Sequence, residues 1–97
     1  MTTSALQAGD IVTLDFPGVT GIKRRPAVVV SSSTYHRHRP DVIVGILTSQ
    51  VQQAVAPTDY VLQDWGEAGL HRASAFRTLA TLPAANAARV GRCSARD

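Results

Sequence analysis

The fold is decided by one short stretch of the chain, Arg25-Pro26-Ala27-Val28-Val29-Val30-Ser31. Three consecutive valines are typical of a β-strand, because β-branched side chains pack well on a pleated sheet. Proline is compatible with the first residue of a strand, where no hydrogen bond of the ladder is lost. The stretch therefore predicts a strand over residues 26–31, with Arg25 immediately before its first residue.

Strands are also predicted on both sides of this segment. Ile11 to Phe16 alternates apolar and polar residues, as a half-buried strand does, and Asp41 to Thr48 is apolar on both faces, as a central strand is. Three further strands are predicted at residues 59–63, 74–82 and 88–93, whereas residues 31–40 predict a polar loop. Short strands separated by regular turn signals predict a mainly β fold, a small antiparallel barrel with short helical turns, formed as one domain over residues 1–97.

Composition excludes several classes of protein. The chain has 97 residues, 44% of them hydrophobic, which argues against disorder. It has no apolar run of roughly 20 residues that could span a membrane, and residues 1–5 lack the features of a secretory signal. Cys93 is the only cysteine, so no intrachain disulfide can form, and we interpret it as a small core residue. These features predict a cytoplasmic protein.

Charge is distributed unevenly along the chain. No acidic residue lies between positions 16 and 40, a window that holds five of the ten basic residues and two of the three histidines. The other five basic residues, all arginines, lie in the last third of the chain. Two basic segments on either side of an acid-bearing middle predict a positive face, which favours an anionic chain such as RNA as the ligand.

The strongest basic cluster is Lys23-Arg24-Arg25, predicted to lie where a glycine-containing loop enters the second strand. Guanidinium groups form forked, charge-assisted hydrogen bonds with phosphate and keep their charge near neutral pH. Arg25, packed against a rigid strand, is the candidate for holding a scissile phosphate, and Lys23 and Arg24 are candidates for neighbouring phosphates. The alternative interpretation is a solvated run of charges in a loop.

A second candidate cluster, Thr48-Ser49-Gln50, ends the predicted central strand. Hydroxyl and amide groups at a strand end can bind phosphate oxygens, or they can simply cap the strand.

The histidines are weaker candidates. His36 and His38 fall in the predicted polar loop, where they could contact RNA or act as an acid–base pair. No second cluster of Cys, Asp or Glu supplies further metal ligands, so neither a metal site nor a cofactor is predicted. His71, beside Arg72, is interpreted as a surface residue.

Four stretches form an ordered series of motifs. They are Gly9-Asp10-Ile11-Val12 with Asp15-Phe16-Pro17, then Arg25 to Ser31, then Val42 to Gln50, and finally Gly69-Leu70 with Ala73-Ser74 and Arg77 to Leu82. In this order they resemble the MazF/PemK family of toxin endoribonucleases, and the resemblance covers roughly positions 8 to 93.

The resemblance implies an SH3-like barrel, a homodimer, and metal-independent, sequence-specific cleavage of single-stranded RNA by 2′-hydroxyl attack. It also implies a cognate antitoxin whose tail fills the RNA groove. By matching position, Arg25 and Thr48 are the expected catalytic residues. The expected RNA-binding residues are Lys23, Arg24, Ser49, Gln50 and Arg77.

The chain departs from the family pattern in two places. The first loop, Gly18 to Lys23, lacks the Gly-Ser-Glu-type stretch of many relatives, so its substrate contacts and the cut sequence cannot be inferred. Ser94 to Asp97 has the pattern of a helix N-cap, whereas the family usually continues into a helix. This second departure favours one alternative function, a non-catalytic SH3-like nucleic-acid-binding module. A gyrase inhibitor resembling CcdB is the other alternative, but such proteins act through a C-terminal helix and its last aromatic residue, which are lacking here.

Overall fold

The computed structural model describes residues 6–97 and shows a mostly β molecule. The strands are β1 (Asp10–Gly18), β2 (Gly21–Val29), β3 (Asp41–Thr48), β4 (Tyr60–Val61), β5 (Ala75–Pro83) and β6 (Ala88–Arg92). One short helix, α1 (Ser33–His38), precedes β3, and a single 3₁₀ turn (Val51–Gln53) follows it. Residues 1–5, where the sequence predicts no secretory signal, lie outside the described residues, and the assignment of residues 1–97 to one domain stays a prediction.

All six strands belong to one antiparallel sheet in the order β4-β5-β3-β2-β1-β6, which curls into a half-barrel. The predicted small SH3-like antiparallel barrel is confirmed. β3 lies near the middle of the sheet, as its continuous apolar sequence predicts, and its observed bounds match the predicted ones. None of the helices in residues 6–97 has the length and apolar character needed to span a bilayer.

The two sides of the sheet carry separate apolar clusters, as alternation along the strands requires. The first cluster contains Leu6, Val12, Leu14, Ala27, Val29, Val42, Val44 and Ala84. The second contains Ile11, Leu47, Leu62, Ala68 and Leu70, with Trp65 and Phe76 packed against it. The second cluster matters for function because it ties the end of β3 to the segment between β4 and β5.

Two segments that the sequence predicts as loops form regular secondary structure, one in a strand and the other in a helix. Strand β2 begins at Gly21, so Lys23, Arg24 and Arg25 lie within the strand and not in a loop before it. The β1–β2 hairpin extends past Pro26 because Phe16 and Pro17 of β1 pair with Lys23 and Ile22.

Helix α1 replaces much of the polar loop predicted at residues 31–40. Ser32 caps it by accepting a hydrogen bond from the Tyr35 N–H at 3.2 Å. His36 is buried and bonded at both ring nitrogens, to the Ser31 hydroxyl at 2.6 Å and the Leu6 carbonyl at 3.0 Å. The carbonyl can only accept, so Nδ1 donates to it, while Nε2 shares a hydrogen bond with the Ser31 hydroxyl. His36 therefore stabilises the fold, and the predicted RNA-contacting role does not suit it.

Asp10, the first residue of β1, links this strand to β6 and to Gln7. Its carboxylate is buried and accepts hydrogen bonds from the Gln7 N–H at 2.9 Å and from Arg92 at 2.8 Å, with Arg89 at 3.2 Å. Burial by itself raises the pKa of the Asp10 carboxyl, but these three donors together outweigh it and hold the pKa below its usual value. The sequence identifies Asp10 only as part of the first family motif and not as the partner of Arg89 and Arg92, because these arginines are distant in the chain.

The last four residues form one turn. The Asp97 N–H donates to the Ser94 carbonyl at 3.1 Å, and the Ser94 hydroxyl accepts from the Arg96 N–H at 3.2 Å. The same hydroxyl donates to Asp64 at 2.7 Å, and Arg96 forms a forked pair with both oxygens of Asp64. The predicted capping hydroxyl of Ser94 is thus used to fasten this turn to the segment after β4.

Candidate active site

A cavity of about 590 Å³ lies where β2, the end of β3, the segment before β5 and strand β6 meet. Its lining residues are Thr13, Arg25, Pro26, Leu47, Thr48, Ser49, Gln50, Gly69, Leu70, His71, Arg72, Ser74 and Val90. Four residues selected from the sequence therefore come together here: Arg25, Thr48, Ser49 and Gln50.

The end of β3 fixes the hydroxyl of Thr48. Leu47 is buried in the second apolar cluster, which anchors the strand immediately before Thr48. The Thr48 hydroxyl accepts a hydrogen bond from the Gln50 N–H at 3.1 Å. That bond uses an acceptor position of the oxygen and leaves the hydroxyl hydrogen as a donor for a ligand. Thr48 therefore caps the strand end and lines the cavity at the same time.

Arg25 differs from its neighbour Arg24 in its electrostatic partners. Arg24 lies directly opposite Asp15 of β1 and pairs with it at 3.1 Å, and it also donates to the Asn86 carbonyl at 2.6 Å. Within residues 6–97, no carboxylate lies within ion-pairing distance of Arg25. The guanidinium that lines the cavity is thus available to an external anion, whereas Arg24 is engaged in the fold.

The segment between β4 and β5 supplies the opposite wall of the cavity. Successive turns shape it, with the Ala68 N–H donating to the Asp64 carbonyl and the Leu70 N–H to the Trp65 carbonyl, each at 3.1 Å. Gly69 has a φ of 94°, and a Cβ there would lie 2.5 Å from the Val90 carbonyl oxygen. Only glycine allows this close approach of the backbone to β6. The backbone on either side of Leu70 is therefore held against the sheet.

Arg72 is the second cation of the cavity wall. The Ser74 hydroxyl donates to the Arg72 carbonyl at 3.0 Å, and Ser74 is itself buried. In the part of the chain that the structure describes, Arg72, like Arg25, has no carboxylate within ion-pairing distance. Sequence reasoning missed Arg72 and His71 as site residues. The sequence carries only a partial signal for them in Gly69-Leu70, whose close packing against β6 brings the next two residues to the cavity.

The remaining predicted site residues lie outside the cavity lining. Lys23 is exposed on the outer part of the β1–β2 hairpin, paired in register with Phe16. Arg77 is exposed on β5 and lies 3.8 Å from the carboxylate of Asp59. The structure therefore does not bring Lys23, Arg24 or Arg77 into contact with the cavity.

The chemistry of the cavity suits a phosphate ester. The lining residues Arg25, Arg72, Thr48, Ser49 and Gln50 carry side-chain hydrogen-bond donors, and no acidic residue is among the lining residues that the structure describes. Forked guanidinium donors match the oxygens of a phosphodiester. Within residues 6–97, no three His, Cys, Asp or Glu side chains are close enough together to hold a metal ion.

Cys93 lies apart from this cavity. It is half-buried and packs against the second apolar cluster, as its interpretation as a core residue predicts. Burial raises the pKa of its thiol, and the nearby Asp97 carboxylate adds to the effect. A thiol held protonated in this way is a poor nucleophile.

The chain matches known proteins in sequence and in structure. A family model described as PemK-like, MazF-like toxin of type II toxin-antitoxin system matches residues 7–97. No curated protein sequence matches the chain. Among solved structures, MazE–MazF (Form-III) from Deinococcus radiodurans is similar with a TM-score of 0.74 and 22% identity, over 94% of this chain and 83% of that chain.

MazF (Form-I) from the same organism is similar with a TM-score of 0.73 and 22% identity, over 94% of this chain and 84% of that chain. At this identity the structural likeness establishes the shared fold alone. The family model extends over nearly the whole chain, including both cavity walls and the strands that position them. This chain therefore belongs to the PemK-like, MazF-like toxin family of type II toxin-antitoxin systems.

Proposed function

We propose that this protein is a toxin that inhibits growth as a sequence-specific, metal-independent endoribonuclease of single-stranded RNA. The observation that carries the proposal is the cavity in which Arg25 and Thr48 lie together. In residues 6–97, the two arginines of that cavity lack the carboxylate partners that five other arginines have. A cationic cavity without anions of its own suits an anionic substrate.

The proposed reaction uses the RNA 2′-hydroxyl as nucleophile. Its oxygen forms a bond to the adjacent phosphorus, the bond from phosphorus to the 5′-oxygen breaks, and the products are a 2′,3′-cyclic phosphate and a 5′-hydroxyl. Negative charge builds on the phosphoryl oxygens during the attack. Arg25 stabilises that charge, an effect worth about 3 kcal/mol for one well-placed donor. Thr48 donates its free hydroxyl hydrogen to the phosphate and orients it.

RNA contacts divide into two groups in this proposal. Ser49 and Gln50 bind the nucleotides at the scissile bond, because they line the same cavity as Thr48. Lys23, Arg24 and Arg77 contact phosphates farther along the strand, because they are exposed but outside the cavity. Changes in the first group should alter the rate of the chemical step, and changes in the second should alter mainly the affinity for RNA.

The proposed partner is a cognate antitoxin that occupies the RNA groove. Support comes from the family, which belongs to toxin-antitoxin systems, and from the similar Deinococcus radiodurans structure, which is one of MazE–MazF. A homodimer is proposed on the same family grounds, and so is a cytoplasmic location, where mRNA is available.

The test is cleavage of a single-stranded RNA in excess EDTA by the wild type and by Arg25→Ala, Thr48→Ala and Arg37→Ala variants. Arg37 is a matched control because it is an exposed arginine on α1, outside the cavity. We expect the Arg25 and Thr48 variants to keep their folded spectra and to lose roughly 10²- to 10³-fold in cleavage rate. The Arg37 variant should cleave like the wild type.

The products should carry 2′,3′-cyclic phosphate and 5′-hydroxyl ends. Cleavage that requires a divalent metal, or full activity after loss of both Arg25 and Thr48, would contradict the proposal. RNA binding without any cleavage by the wild type would instead support the non-catalytic nucleic-acid-binding module.

A further inference from the structure

We propose that His71 is the general base of this reaction, the group that removes the proton from the RNA 2′-hydroxyl. The inference rests on the proposed ribonuclease function and deepens it. His71 is among the residues that line the same cavity as Arg25 and Thr48. Among the lining residues that the structure describes, it is the one side chain of a type that exchanges a proton readily near neutral pH.

The backbone that carries His71 is fixed on both sides. Before it, Leu70 is buried in the second apolar cluster and Gly69 lies against Val90 of β6. After it, the buried Ser74 hydroxyl holds the Arg72 carbonyl at 3.0 Å. These contacts hold the backbone of His71 at a set position beside the cavity, which the placement of a general base requires.

The ring of His71 itself is accessible. The residue is exposed, and no hydrogen bond from residues 6–97 engages either ring nitrogen. His36 shows the opposite arrangement, since it is buried and both of its nitrogens are bonded within the fold. His38 is exposed at the end of α1 and is not among the cavity residues. Of the chain's three histidines, only His71 is both open to a ligand and placed at the cavity.

Bonds and protons balance in the proposed step. An unprotonated ring nitrogen of His71 takes the proton of the 2′-hydroxyl as the 2′-oxygen bonds to phosphorus and the bond to the 5′-oxygen breaks. The leaving 5′-oxygen takes a proton from water of the open cavity. The imidazolium then returns its proton to the hydroxide so formed, so neither water nor protons are consumed. Arg25 and Arg72 stabilise the phosphoryl oxygens meanwhile.

The charged groups that face His71 are known from the cavity lining. They are Arg25 from β2 and Arg72 from the same segment as His71, and the other walls contribute Thr13 of β1, Val90 of β6 and the polar end of β3. Both guanidinium groups stay protonated across the neutral range. An inflection of activity between roughly pH 5 and 8 would therefore not come from them.

The first test is the pH profile of kcat/KM for RNA cleavage in EDTA, measured for the wild type, His71→Gln and His38→Gln. We expect wild-type kcat/KM to fall on the acid side of its profile, because a base that carries a proton cannot take another. His71→Gln should lose about 10²- to 10⁴-fold, mostly in kcat, and should lose the acid-side fall. His38→Gln, the matched control, should keep both the rate and the profile.

The second test separates a base from an acid. A substrate whose 5′-oxygen at the cut site is replaced by sulfur has a leaving group that needs no proton. We expect His71→Gln to keep its full deficit on this substrate, because the lost base still has to act on the 2′-hydroxyl. Disappearance of the deficit would assign the leaving-group proton to His71 and overturn the role proposed here.

These outcomes distinguish failure of the inference from failure of the proposed function. Cleavage by the wild type that is lost in Arg25→Ala but unchanged in rate and pH profile in both His71→Gln and His71→Asn would overturn only the role of His71. Absence of any EDTA-resistant cleavage by the wild type would overturn the ribonuclease and the role of His71 together. Because the side chain is exposed, both variants should fold, and their urea unfolding midpoints check this.

Discussion

Two regions of the molecule each contain a pair of arginines and use them in opposite ways. Near the start of β1, Arg89 and Arg92 converge on the buried carboxylate of Asp10. At the cavity, Arg25 and Arg72 stand in a wall where the described lining residues include no carboxylate. The first pair is bound to a carboxylate of the fold, and the second pair leaves its charge for a ligand.

The number of basic residues in a segment therefore does not locate a binding site in this chain. Half of the basic residues lie between positions 16 and 40, yet that window contains both Arg24, which is bound to Asp15, and Arg25, which is not. The pairing of each arginine therefore indicates its role better than the local charge density does. Substitutions in the two regions test this distinction.

Replacing Asp10 by Ala should destabilise the protein by about 3 kcal/mol, the lower end of the cost of breaking a buried ion pair. The side chains of Arg89 and Arg92 are roughly half exposed and can be rehydrated, so the cost should not be larger. Urea unfolding at neutral pH measures it, with exposed Glu67→Ala as the control. A loss below about 1 kcal/mol would mean that the pair contributes no more than a surface contact.

Around Gly69, the stability of the segment before β5 depends on close backbone packing and not on ion pairs. The Gly69→Ala substitution tests this by adding a side chain where the segment closely approaches β6. The φ of 94° and a Cβ only 2.5 Å from the Val90 carbonyl oxygen should together cost about 2 kcal/mol. Gly66→Ala is the matched control in the same segment, because a Cβ there meets nothing within 4 Å. Equal unfolding free energies for the two variants would contradict the proposed anchoring of the segment.

The strands were predictable because local pattern determines them. β3 is apolar throughout and has its predicted bounds, whereas β2 begins earlier than predicted because its first residues pair with β1 beyond the apolar stretch. Helix α1 was missed because its polar sequence has no apolar periodicity. Its stability comes from the Ser32 cap and from His36, whose partner Leu6 lies 30 positions away.

The site was predictable only where its residues lie at strand ends. Arg25 and Thr48 could be selected because each adjoins an apolar strand and a family motif. His71 and Arg72 could not, because their position depends on packing between distant segments. A Cβ on Gly91 would overlap the Ala68 carbonyl, so β6 and the segment before β5 meet backbone to backbone. Such a contact leaves glycines in the sequence but does not show which segments they join.

Acid should weaken the ion pairs between arginines and carboxylates, because it protonates the carboxylates. The pair formed by Asp64 and Arg96 tests this expectation. The Arg96 guanidinium and then the Ser94 hydroxyl lower the pKa of Asp64 from 3.8 to about 2. A carboxyl group whose pKa is lower in the folded state than in the unfolded state stabilises the protein at pH values above the unfolded-state pKa. This contribution is lost as the pH falls from 3.8 toward about 2.

At pH 6 the wild type should therefore have a larger free energy of unfolding in urea than Asp64→Asn. The difference should be smaller than that between the wild type and Asp10→Ala, because the side chain of Arg96 is 62% exposed. The gap should narrow as the pH approaches 3 and should shrink with added salt. A gap that is the same at both pH values would show that the contribution of Asp64 does not depend on its charge.

The smallest effect is expected for Arg24 and Asp15, and it gives the sharpest comparison with Arg25. Both side chains are about 40% exposed, so a double-mutant cycle with alanine should give a coupling energy of about 0.5 kcal/mol. In RNA cleavage, Arg24→Ala should raise KM and leave kcat within about threefold, because its guanidinium lies outside the cavity. A fall in kcat as large as that of Arg25→Ala would mean that Arg24 leaves Asp15 and Asn86 when RNA binds. Ion pairing within the fold would then no longer distinguish structural arginines from catalytic ones.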